Sequence, residues 1–100
     1  MESKKPPIEE TLTATQQEIV GLMDDLKQML LNKNRKYGDS ALNPTRIFSR
    51  SSTVEQINVR IDDKLSRILS GQQDEDEDID RDLIGYLVLK IIAKRRENVI

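Results

Sequence analysis

Asp82 is the position that most demands a chemical explanation. In a helical register its neighbours are Ile79, Gly85, Tyr86 and Leu89. A carboxylate among apolar side chains is costly unless it is paired or bound to a cation. Asp78 stands four residues earlier on the same face, and two acids at that spacing repel unless positive charge lies between them. A divalent metal ion would supply that charge. The competing reading makes Asp78 a helix N-terminal acid and pairs Asp82 with an Arg.

Two further segments carry functional side chains. In Arg60-Ile-Asp-Asp-Lys-Leu-Ser-Arg67, Asp62 lies at the edge of an apolar stripe, in line with Glu55 seven residues before it. Asp63 points towards solvent, and Arg60 and Lys64 border the other edge. Alternating charge of this kind is also the ordinary pattern of a solvated helix surface. In Lys33-Asn-Arg-Lys-Tyr-Gly-Asp-Ser40, three cations precede a turn that carries an aromatic ring. Such a segment can hold phosphates and stack a base, or it can be a helix C-terminus, where Lys and Arg are favoured anyway. It is not a P-loop, since the spacing of glycines before a Lys is absent.

Composition narrows the chemistry. The 100 residues contain no His and no Cys, which excludes imidazole bases, thiol nucleophiles and zinc sites built on either. Hydrolysis would need a water activated by a metal on carboxylates, and oxygen-only ligands favour magnesium or manganese. The net charge of −2 hides an asymmetry. Residues 74–82 hold seven of the eighteen acids, while Lys27–Arg67 holds nine bases against four acids. A near-neutral total speaks against stable nucleic-acid binding. No apolar run is long enough for a membrane span, no apolar stretch follows the N-terminal lysines as a signal peptide needs, and a cytoplasmic setting is expected.

The elements that must position these residues are helical. Residues 1–12 read as a flexible arm and 13–100 as one helical domain. A first helix is expected from about Thr13 to Lys33, with Thr15 and Glu18 as a capping box and Ile19, Leu22, Met23, Leu26, Met29 and Leu30 as its stripe. Residues 35–52 form a long loop, which Tyr37, Leu42, Ile47 and Phe48 would anchor by packing. A second helix runs from Ser52 or Thr53 to about Leu69, with Val54, Ile57, Ile61, Leu65 and Ile68 as its stripe and Gly71 as its stop. An acidic linker leads to a third helix that starts at Asp76 to Asp78 and reaches about Arg95. Its middle, LIGYLVLKIIA, is apolar almost all round, so it should be buried on most sides. Three helices of this size cannot cover it alone. The expected architecture is an all-α bundle of about three main helices, completed by formation of a homo-oligomer, a dimer or tetramer.

Taken together, Asn34-Arg-Lys-Tyr-Gly-Asp-Ser40, Arg60-x-Asp-Asp-Lys-x-x-Arg67 and Glu77-Asp-x-x-x-Asp-Leu-x-Gly-Tyr86 resemble blocks of the MazG-like all-α nucleoside triphosphate pyrophosphohydrolases. The nearest likeness is to phage enzymes acting on purine deoxynucleotides and to the nucleotide-modification-associated helical group. The resemblance covers roughly residues 30–93. It implies cleavage of a nucleoside triphosphate, expected to be dGTP or dATP in a phage nucleotide pool, between the α and β phosphates, giving monophosphate and pyrophosphate.

It also implies a site. Glu55, Asp62, Asp78 and Asp82 would hold magnesium or manganese, with Asp62, Asp82 and Lys64 as the catalytic set. Lys33, Lys36, Lys64 and Arg67 would neutralise the phosphates, Arg60 would be a further substrate-binding residue, and Tyr37 and Asp39 would shape the base and sugar pocket. The family pattern has a Glu-Glu-x-x-Glu helix. Here Val59 and Arg60 stand three residues before Asp62 and Asp63, so one acid is missing. The alternative expectation is a helical dimer that binds nucleotides or a protein partner without turnover.

Overall fold

The computed structural model describes residues 11–71 and 78–98. Most of the N-terminal arm and the acidic linker 72–77 lie outside the described residues. Three helices account for the architecture: α1 (Ala14–Tyr37), α2 (Thr53–Ser70) and α3 (Ile79–Glu97). There is no strand among the described residues. The molecule is a small all-α bundle, and among the described residues no helix is long and apolar enough to cross a membrane.

Helix α1 starts on a different box from the one expected. Thr13 is the N-cap: its hydroxyl accepts the Gln16 N–H at 3.1 Å, and Gln16 Oε1 accepts the Thr13 N–H at 2.9 Å. Thr13-x-x-Gln16 satisfies the same rule as Thr15-x-x-Glu18 and adds two residues to the helix. At the other end α1 runs on to Tyr37 rather than stopping near Asn34. Nothing in Asn-Arg-Lys-Tyr opposes helix, and only Gly38, at φ +68°, turns the chain away. Lys33, Asn34 and Tyr37 therefore share one helical face, and Lys36 points away from it.

Helices α2 and α3 make the main packing contact. Ser52 caps α2 by accepting the Glu55 N–H at 3.1 Å, and Gly71, in the left-handed region at φ +72°, closes it. Asp78 caps α3, accepting the Arg81 N–H at 3.1 Å. Acids at the start of α3 and Lys94, Arg95 and Arg96 at its end complement the helix dipole. The core is Ile57 and Ile61 of α2 against Ala93 of α3, with Leu42, Val54, Leu83, Tyr86 and Leu89 around them. Leu65 and Ile68, expected in the α2 stripe, stay about half exposed.

Helix α1 meets this pair at one crossing. Leu26 is buried there, and Met29 and Leu30 are partly covered. The crossing is close because α3 has Gly85 at that point: a Cβ there would lie 3.0 Å from Leu30 Cδ2. The stripe residues before the crossing, Ile19, Leu22 and Met23, are about half exposed. The third helix is not buried on most sides within one chain. Its inner face is packed, and Ile84, Leu87 and Ile91 on the opposite face remain open.

The loop after α1 is held mainly by polar contacts. Asp39 accepts the side-chain amides of Asn34, at 3.2 Å, and Asn43, and its carbonyl accepts the Leu42 and Asn43 N–H groups. Arg46 ties the far end to the start of α2 through Thr53 Oγ1, at 3.1 Å, and the Ser51 carbonyl. Of the four apolar anchors expected, Leu42 alone joins the core. Tyr37, Ile47 and Phe48 are exposed, Phe48 to 95%.

Candidate functional site

Asp82 sits one turn into α3, where the C-terminal part of α1 crosses. Its carboxylate is paired with two lysines from two other helices. Lys33 of α1 donates to Oδ1 at 2.8 Å, and Lys64 of α2 lies 3.5 Å from Oδ2. Asp82 is 21% exposed and Lys64 14%, whereas Lys33 is half open to solvent. Burial pushes the Asp82 carboxyl up. The hydrogen bond and charge of Lys33, with those of Lys64, pull it down further, so it lies below the ordinary aspartate value. The partners are thus lysines, not the Arg of the competing reading.

Beside this cluster a cleft of about 700 Å³ opens between the end of α1, the following loop and the faces of α2 and α3. That volume falls within the range of small-molecule sites. Lys33, Asn34 and Tyr37 reach it from α1, Asp39 and Ser40 from the loop, Gln56 and Arg60 from α2, and Asp82 and Tyr86 from α3. Its apolar floor includes Met29, Leu30, Ile57 and Leu89. Arg60 makes no ion pair among the described residues.

Among the residues expected to form a site, the fold gathers Lys33, Tyr37, Asp39, Arg60 and Asp82 around this cleft, with Lys64 behind Asp82. The others are elsewhere. Lys36 lies over the Tyr37 ring, 5.3 Å from its centre. Glu55 accepts from the Asn58 amide at 3.1 Å, and Asp62 is exposed. Asp78 is occupied as a helix cap, with Arg81 Nε 4.0 Å from its Oδ2. Arg67 pairs with Asp63 at 3.4 Å and lines a smaller cavity with Ile79 and Asp80.

The four acids expected to hold magnesium are therefore not assembled. Among the described residues, no group of three or more acidic side chains stands together as a metal site. Of the two acids on the cleft wall, Asp82 is already neutralised by two ammonium groups and Asp39 accepts the Asn34 and Asn43 amides. As arranged here, the donor set does not fit a bound divalent ion.

Some cleft residues escaped the sequence reading. Gln56 and Tyr86 line the cleft through pairing of helices, and neither carries a local signal for it. Asp39, expected in the site, has a second role: its carboxylate accepts the Asn34 and Asn43 side-chain amides. Its carboxylate holds the loop as well as facing the cleft.

A scan with protein-family models finds no match to this chain, and searches of curated proteins and of solved structures find none either.

Proposed function

We propose that the cleft recognises the polyphosphate of a nucleotide, with a nucleoside triphosphate as the ligand class. The observation that supports this most directly is Arg60, a guanidinium without an ion-pair partner among the described residues, facing the same cleft as the half-exposed Lys33 ammonium. A planar guanidinium and an ammonium lining one cleft suit phosphate oxygens. Tyr37 and Tyr86 offer ring surface for a base, and Asn34, Ser40 and Gln56 offer hydrogen bonds for a sugar or base edge. In this reading the protein works among the nucleotides of the cytoplasm, as a homo-oligomer.

The second reading is the activity that the resemblance implies, pyrophosphohydrolysis of a purine deoxynucleoside triphosphate with magnesium or manganese. The place of Asp82 on the cleft wall favours it, and the dispersal of Glu55, Asp62 and Asp78 counts against it. Binding without turnover is therefore the primary reading.

One experiment separates the two. Each deoxynucleoside triphosphate is titrated into the protein with and without magnesium, and the mixtures are assayed for monophosphate and pyrophosphate. Recognition predicts saturable binding that Arg60→Ala weakens by about tenfold or more, the loss of one charge-assisted contact. Release of monophosphate and pyrophosphate, abolished by Asp82→Asn, would establish the second reading. Absence of both binding and turnover would refute the two together.

A further inference from the structure

Two apolar faces are left without a partner among the described residues. On α1, Ile19, Leu22 and Met23 are 48–54% exposed; on α3, Ile84, Leu87 and Ile91 are 38–52% exposed. Each trio recurs at helical spacing, so each is a stripe rather than scattered surface. We infer that these two stripes are the two halves of one self-complementary interface. The α1 stripe of each copy lies on the outer α3 face of a second copy, twice about a two-fold axis. This rests on the homo-oligomer reading and names the surface that it uses.

Three observations select a second copy as the occupant. The first is continuity. Ile19, Leu22 and Met23 extend the stripe in which Leu26 is buried and Met29 and Leu30 pack at Gly85 of α3. A surface that packs on this helix within the chain is chemically suited to pack on it between chains. The second is area. The six exposed side chains offer on the order of 500 Å² per copy, a large part of the about 800 Å² per partner that a standard specific interface takes. The third is charge. Glu18 and Asp25 border one edge of the α1 stripe and Lys27 the other; on α3, Lys94 and Arg95 flank the C-terminal end of the outer face, and Asp80 shares that face at its N-terminal end. Crossed pairing can set the acidic edge of α1 beside the basic C-terminal end of α3, with Lys27 able to approach Asp80.

The geometry of α1 adds to this. The helix has 24 residues, about 36 Å of length, and one crossing near its C-terminal half holds it. Its first half has the reach to lie on a neighbour.

The test is the mass of the full chain by analytical ultracentrifugation across a concentration series. The wild-type protein should sediment as a dimer of the 11.5 kDa chain. The double variant Ile19→Asp/Met23→Asp and the single variant Ile91→Asp should each weaken association by roughly a hundredfold or more. Leu69→Asp, at a 90% exposed apolar position on α2, should leave it unchanged. Because the altered side chains are already half exposed, circular dichroism should report unchanged helix content. A second arm uses charge: Glu18→Lys/Asp25→Lys weakens association, and combination with Lys94→Glu/Arg95→Glu restores it. A wild-type chain that stays monomeric at about 100 μM, a concentration at which micromolar dimers are populated, would overturn both this surface and the homo-oligomer reading. A dimer that both stripe variants leave intact would overturn this surface alone. Neither outcome bears on nucleotide recognition, which is read separately by ligand titration.

Discussion

Helices α2 and α3 are held to each other by an interdigitated apolar seam, whereas among the described residues α1 is held to them by one crossing and the Lys33–Asp82 ion pair. Ile57 is 2% exposed and Ala93 3%, each covered by the facing helix. On α1 only Leu26 reaches that degree of burial. The cleft lies where these two kinds of attachment meet. Its Arg60, Gln56 and Tyr86 belong to the firm pair, and its Lys33, Asn34 and Tyr37 belong to the loosely attached helix. The difference separates what keeps the chain folded from what completes the site. Buried apolar area on α2 and α3 sets stability, and the register of α1 decides whether the cations face each other across the cleft.

The largest effect should come from the seam. Ile57→Ala removes buried methyl and methylene groups from the middle of α2 and leaves a cavity against α3. It should cost about 3 kcal/mol or more, read as a shift in the urea unfolding midpoint. If α2 and α3 form the cooperative unit, the loss falls on the whole transition. An equal loss from Ile19→Ala, at a half-exposed site on α1, would erase the distinction between the two regions.

Gly85 tests the crossing itself. A Leu at this position places a branched side chain where Leu30 Cδ2 already approaches within 3.0 Å of a Cβ position. Gly85→Leu should push α1 off α3 at a cost of about 1–3 kcal/mol. It should also weaken triphosphate binding by more than that stability loss explains, since it separates Lys33 and Tyr37 from Arg60. Gly85→Ala is the finer probe. The helix gains about 1 kcal/mol from replacing an interior Gly, and Leu30 must yield by a few tenths of an ångström. Near-neutral stability with intact ligand binding is the expected result.

How much of this was legible in the sequence depends on the range of the interaction. The three helices, the Ser52 cap, the Gly71 stop and the start of α3 follow from local rules, and they are where those rules place them. The α1 stripe was equally clear in its period. A continuous stripe does not say which part of it meets its own chain, so the exposure of Ile19, Leu22 and Met23 was not readable. Asp82 stood out because a carboxylate on an apolar face needs a cation. That the cation would be Lys33, 49 residues away, depends on how the helices cross. Lys64 carries a site role only through the family resemblance, since the alternating charge of its own helix does not point to Asp82 as its partner. Tyr37, Ile47 and Phe48 were read as anchors from hydrophobicity alone, and the loop is instead fixed by Asp39 and Arg46 hydrogen bonds.

The ion pair that completes the α1 attachment has a signature in pH. The Asp82 carboxyl titrates lower in the folded protein than in the unfolded chain, where it sits near the usual value of about 3.9. A group depressed in this way contributes its full stability above the unfolded value and loses it as the pH falls through the folded value. The contribution should therefore be constant from neutral pH to about pH 5 and should fade below about pH 4. Asp82→Asn removes the charge and keeps the shape. It should cost about 1–2 kcal/mol at pH 7, because Lys64, 14% exposed, loses one of its charge-assisted contacts. The gap between variant and wild type should narrow in acid, as protonation does to Asp82 what the substitution does. If the gap stays constant down to about pH 3, the pair with Lys33 and Lys64 is not what ties α1 to the core.

The smallest effect should be at Phe48. It is the largest apolar side chain in the loop and is 95% exposed, so the single chain gains almost nothing from it. Phe48→Ser should change stability by less than about 0.5 kcal/mol, the ordinary range for surface positions away from caps, turns and packed contacts. This null result sharpens the comparison between the regions. If hydrophobic content alone set stability, Phe48 would matter more than Ile57, since it has the larger side chain. Burial reverses the order. The seam residue should dominate by several-fold, and urea midpoints of the two variants measured side by side give that ratio. A loss at Phe48 comparable to that at Ile57 would mean that the loop closes onto an apolar face of the molecule, and the boundary between core and attachment would have to be redrawn to include it.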